Sequence, residues 1–151
     1  MAIVSIDDLF NRAKQFEERL VSYYADIRDE STNNGVRLLT YYLSRHRLRL
    51  QQALDDFDSA EVERVKKIKL KYDIEFYPDK EFHLMQIPPE KVTGQDLIDA
   101  AVGYDLELVE LYKGILRQPL GPEGADLIES LIKVEERDIV MLKKIAASHY
   151  F

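Results

Sequence analysis

Residues 93–117 read TGQDLIDAAVGYDLELVELYKGILR, and the spacing of their apolar side chains decides the fold. Ile98, Ala101, Leu108, Tyr112 and Ile115 recur at intervals of three, four or seven, which places them on one face of an α-helix. Thr93 with an acid, Asp96, three residues on marks the helix start. Asp105 falls on the same stripe, near its middle. It therefore points at the core, where an isolated carboxylate is costly to strip of water.

The same period recurs in three further segments. The first begins near Ser5, with Asp8 three residues later, and ends before Ser31, Thr32, Asn33, Asn34 and Gly35. The second is expected from about Val36 to Phe57, the third is the stretch quoted above, and the fourth follows Pro119, Leu120 and Gly121 and continues to about Ser148. Pro122 suits the first turn of that last helix.

Short polar or Pro/Gly-rich links join helices one to two and three to four, so each pair folds back antiparallel. The link between helices two and three, about residues 58–92, is far longer. Since a 24-residue helix is only about 36 Å long, that link can cross the whole bundle. The expectation is one domain, 1–151, all-α: an antiparallel four-helix bundle, up-down-down-up, with one long crossover.

Within the crossover, Asp58 and Glu61 predict a short helix from Ser59 to about Leu70. Tyr72, Ile74 and Phe76 alternate with polar residues and predict an extended strip. Phe82, Leu84, Met85 and Ile87, ahead of Pro88 and Pro89, are expected to seal one side or end of the core, and Tyr150 and Phe151 to cap the bundle end.

Written out, the stripes hold Phe10, Ala13, Glu17, Leu20, Tyr24 and Ile27; Leu39, Leu43, His46, Leu50, Ala53 and Phe57; Ile98, Ala101, Asp105, Leu108, Tyr112 and Ile115; and Ile128, Leu131, Glu135, Asp138, Leu142 and Ile145. Apart from tyrosine, the ionisable members are Glu17, His46, Asp105, Glu135 and Asp138, each near mid-helix. Groups at one depth of an apolar core require compensation. Bound metal, pairing with His46 and a neighbouring arginine such as Arg47, or protonation of some carboxyls would each supply it. Four carboxylates match two divalent cations in charge, and oxygen ligands with an imidazole suit iron, manganese or zinc. A polar layer that only fixes helix register and partner choice is the competing reading.

Glu17 with Tyr24 seven residues later, Asp105 with Tyr112 seven later, the long crossover and Glu135-x-x-Asp138 resemble the ferritin-like superfamily, including the rubrerythrins. That resemblance implies a glutamate on helices one and three and a Glu-x-x-His motif on helices two and four, together holding two irons or manganeses. Glu17 matches the first-helix glutamate, Asp105 the third-helix one shortened by a methylene, His46 the second-helix histidine and Glu135 the fourth-helix glutamate. Leu43 stands where the second-helix glutamate belongs and Asp138 where the fourth-helix histidine belongs. The implied site is thus a degenerate one, mononuclear or an altered two-metal centre. The alternative is a non-catalytic structural or interaction protein that has lost the metal. A homodimer is also what the resemblance implies.

Composition sets the remaining bounds. A chain of 151 residues can bury a sufficient core without staples. Absence of cysteine removes disulfides, thiolate metal sites and thiol nucleophiles and fits a reducing, cytoplasmic setting. No run approaches the roughly 20 apolar residues that cross a bilayer, and no basic leader precedes the first helix. A net charge of -7 argues against nucleic-acid binding. The basic run Arg45, His46, Arg47, Leu48, Arg49 splays around its helix and reads as solvated surface. His83 and His149 read as surface histidines, Gly121 and Gly124 as turn punctuation, and neither a Gly-rich phosphate loop nor a Ser-His-Asp arrangement is present.

Overall fold

The computed structural model describes residues 4–148. Tyr150, Phe151 and His149, assigned above to the bundle end and the surface, lie outside that range.

The caps read from sequence start the helices. Ser5 Oγ accepts the Asp8 N–H at 3.2 Å while Asp8 Oδ2 accepts the Ser5 N–H at 2.8 Å, which satisfies two otherwise orphaned amides and opens α1, Ile6–Glu30. Asn33 Oδ1 accepts the Val36 N–H and opens α2, Asn34–Leu43. It is followed by α3, His46–Asp55, and α4, Ser59–Lys66, which Asp58 caps through the Ala60 N–H. A single turn, α5, covers Pro78–Glu81. Thr93 and Asp96 form a second reciprocal capping box for α6, Gly94–Leu116. Finally α7 spans Gly121–Ala147, entered through Gly121 at φ 74°, a left-handed conformation that only glycine adopts freely.

The second predicted helix, Val36 to Phe57, is not continuous. Ser44 Oγ donates back to the Thr40 carbonyl at 2.7 Å, and the Arg45 N–H turns to Tyr42 O at 3.2 Å in a tighter i−3 bond. Arg45 then leaves helical geometry, at φ −93° and ψ 5°. The Tyr42 carbonyl, partly freed by the break, is taken up by Arg49 Nη1 at 3.2 Å. His46 consequently sits in the first turn of α3 instead of mid-helix.

Two crossover expectations also change. The short helix stops at Lys66 because the chain peels off to lie along the start of α1: the Ile6 N–H donates to Ile68 O at 3.0 Å and the Leu70 N–H to Val4 O at 2.8 Å. This isolated bridge, Ser5 with Lys69, is the sole β pairing among the described residues. The strip through Tyr72, Ile74 and Phe76 forms no strand, with a bend at Tyr72, and only Phe76 of the three is fully buried. Buried Gln118 holds it instead, accepting the Lys71 N–H at 2.7 Å and donating to Tyr72 O at 3.2 Å. Ile74 packs where Gly114 leaves room; a Cβ there would approach its side chain to 3.3 Å.

Along the core, α6 packs on α7, α1 on α2, α3 on α7 and α2 on α6, while α4 touches both α1 and α7. None of the stripe positions is exposed; Phe10, Ala53, Phe57 and Ile145 are half-buried and the others buried. Each buried Leu, Ile or Phe contributes about 1.5–3 kcal/mol relative to exposure. Phe82 and Leu84 join that core, Met85 and Ile87 pack against it, and Tyr23 ties the segment down by donating to the Leu84 and Ile87 carbonyls. His83 is exposed, as expected.

Candidate metal centre

The five ionisable stripe residues are all buried: Glu17 from α1, His46 from α3, Asp105 from α6, and Glu135 and Asp138 from α7. His46 organises them. Its Nδ1 meets Glu17 Oε1. Its Nε2 lies 2.8 and 2.9 Å from the two oxygens of Glu135, and 3.7 Å from Asp105 Oδ1. A ring with a carboxylate at each nitrogen donates from both, which is the imidazolium form. Burial works against that charge, but Glu17 and Glu135 outweigh it and raise the His46 pKa to about 10.

The acids divide by their partners. Burial alone would push Glu17 up; His46, the Arg47 Nη1 at 3.4 Å and the Tyr104 hydroxyl at 3.0 Å bring it below its ordinary value. Asp138 is likewise held low despite burial, by Asp105 alongside, by the Tyr42 hydroxyl at 2.7 Å and by Arg49 Nη2 at 3.1 Å. Asp105 goes the other way. Burial, the adjacent Asp138 carboxyl and the charge of Glu135 drive it far up, so it keeps its proton at neutral pH. The protonated carboxyl hydrogen-bonds to the Asp138 and Glu135 carboxylates, and no N–H or hydroxyl donor reaches its buried Oδ2.

One ligand atom from each of His46, Asp105, Glu135 and Asp138 falls within 4.8 Å of all the others. Carboxylate oxygens and an imidazole nitrogen bound to one transition metal at about 2.0–2.2 Å stand roughly 3–4 Å apart, so small side-chain adjustments bring this set to coordinating distance. The donor set fits such an ion, which would replace the proton that Asp105 shares with its neighbouring carboxylates. Glu17 stands apart from the four. It engages the opposite ring nitrogen, which leaves Nε2 facing the other carboxylates, the usual outer-shell arrangement for a metal-binding histidine. A cavity of about 20 Å³ borders Glu17, His46, Asp105 and Asp138, space for about one water.

Three contributors, Arg49, Tyr42 and Tyr104, escaped the sequence reading. The basic run was expected to be solvated surface, with Arg47 also weighed as a partner of the core acids; beyond the turn at Ser44–Arg45, Arg47 reaches Glu17 and Arg49 reaches Asp138, and of the three arginines only Arg45 is left exposed. Tyr42 and Tyr104 were assigned no role, yet both donate to buried acids. The available signals were slight: Arg49 and Tyr42 lie three and four residues from His46, and Tyr104 adjoins Asp105. Tyr24 and Tyr112, by contrast, are buried beside the layer as the stripe required, their hydroxyl pKa values raised by burial and by the surrounding acids.

Compared with protein-family models, curated proteins and solved structures, the chain matches none of them.

Proposed function

We propose that this protein is a ferritin-like, up-down-down-up helical bundle whose core binds a transition-metal ion through His46, Asp105, Glu135 and Asp138, with Glu17 orienting His46. The observation that carries the reading is the convergence of these four buried donors within 4.8 Å of one another, close enough that Asp105 keeps its proton beside Asp138 and Glu135. Iron, manganese or zinc suits the mixed oxygen and imidazole set. Iron or manganese would supply redox chemistry there, and zinc Lewis acidity. The chain's own part is to hold the donors in a dry site: Arg49 and Tyr42 fix Asp138, and Arg47 and Tyr104 fix Glu17. A cytoplasmic homodimer completes this reading.

A second reading has its own support. The acids already hold partners, Asp105 through its own proton, so the girdle can exist as an ion-paired layer in a structural or interaction protein that retains the fold without metal. Elemental analysis of protein purified without chelator, followed by thermal melts of chelator-treated protein with added iron, manganese or zinc, separates the two. Stoichiometric metal and a raised Tm support the first reading; no metal and no shift with any of the three support the second.

A further inference from the structure

A second cavity, of about 150 Å³, opens on the side of the core shared by α1, α3 and α4, with Phe10, Leu50, Leu54, Tyr112 and Leu131 among its walls. Its volume matches one benzene-sized body. The charges on its border are unlike those of the chain as a whole. Lys14 from α1, Arg47 from α3 and Lys66 from α4 face one acid, Asp7, in a protein of net charge -7, so positive potential is concentrated around an apolar hollow. Arg47 also reaches Glu17 at 3.4 Å and Lys66 reaches Glu63 at 3.6 Å, so a bound anion would share these two cations with the protein's own acids.

Tyr112 and Leu131 carry the apolar wall inward from α6 and α7: Tyr112 is only 3% exposed, and its ring stands edge-on to Phe10 with 6.5 Å between centroids.

We propose that this cavity binds a small organic carboxylate with a single-ring or short-chain apolar body. The hydrocarbon seats against Phe10, Leu50, Leu54 and the Tyr112 ring, and the carboxylate meets Lys14, Lys66 and Arg47. None of the four candidate metal donors lines this cavity, so the site stands whether or not the core takes up an ion.

The test is titration of the chelator-treated full chain with benzoate, followed by saturation-transfer NMR and calorimetry, with benzyl alcohol as the uncharged counterpart. Benzoate is expected to bind about tenfold more tightly than benzyl alcohol. The double variant Lys14→Glu, Lys66→Glu, on the exposed rim, should weaken benzoate by about tenfold and leave benzyl alcohol unchanged. Leu54→Trp, which fills the hollow, should weaken both. Absence of benzoate binding, equal affinity for the two probes, or indifference of benzoate to the charge reversal would each overturn the proposal. Metal uptake is measured separately, so failure of one reading leaves the other standing.

Discussion

His46 Nε2 lies 2.8 Å from Glu135 Oε1, joining α3 to α7 across the core, while the same ring engages Glu17 of α1 through Nδ1. One imidazolium thus holds three helices at a single level, and its removal leaves two buried acids without their principal cation.

The variant His46→Leu should therefore destabilise the metal-free protein by about 3–5 kcal/mol, the usual cost of orphaning buried charge. Adding Glu17→Leu and Glu135→Leu should recover most of it, because an apolar trio of similar volume has no charge to desolvate. Urea denaturation of both variants checks this; equal stability of wild type and His46→Leu would contradict the ion-pair account.

Stability of the metal-free protein should fall on the alkaline side. The His46 pKa is about 10 when folded and 6.5 in the unfolded chain, so its contribution is complete below pH 6.5 and is lost as pH rises through about 10. In that window His46 retains a proton the unfolded state has released, a slope of about 1.4 kcal/mol per pH unit, and Asp105, raised in the same direction, steepens it. Glu17, shifted down from 4.5, contributes above its unfolded value and loses that contribution as pH falls below it. Urea midpoints from pH 4 to 10 should show both limbs, and His46→Gln should flatten the alkaline one.

Metal uptake should expel protons. Around neutrality His46 and Asp105 both carry protons that coordination must displace. Calorimetry in buffers of different ionisation enthalpy should count about two protons released per ion. Affinity should rise about tenfold per pH unit for each proton displaced. Proton-neutral binding would mean that the ion sits elsewhere.

Replacing Asp105 by Leu tests the crowding of the acids. The change removes a buried carboxyl pressed against Asp138 and Glu135 and should leave the metal-free fold intact or stabilise it by about 1 kcal/mol. It should also abolish the Tm gain on adding metal. An unfolded Asp105→Leu protein would rule out both readings of the girdle.

Arg49→Met should weaken the site from outside it. Asp138 would keep the Tyr42 hydroxyl but lose its guanidinium, at a cost of about 1–3 kcal/mol. Because the Tyr42 carbonyl also loses Arg49, hydrogen exchange at the α2–α3 junction should accelerate. Unchanged exchange there would show that the break is held by Ser44 alone.

Helical period and caps are local properties, and they were legible. Ser5 with Asp8 and Thr93 with Asp96 start helices where their spacing says, and the ionisable stripe members are buried as the period requires. The break at Ser44–Arg45 was not, since the apolar spacing from Leu39 and Leu43 through His46 to Leu50 runs across it without a Pro or Gly. A serine hydroxyl turned back on its own helix leaves no mark in that pattern.

What the sequence determined by itself is that Glu17, His46, Asp105, Glu135 and Asp138 face inward, because side-chain direction on a helix follows from position along it. What only the tertiary structure decided is who meets whom. His46 and its two glutamates are 29 and 89 positions apart, and their meeting depends on the rotation and register of three helices packed together. The same packing sets Asp105 against Asp138 and Glu135 and brings Arg47 and Arg49 from an apparent surface run onto buried acids. Periodicity assigns a residue to a face; only close packing assigns it a neighbour.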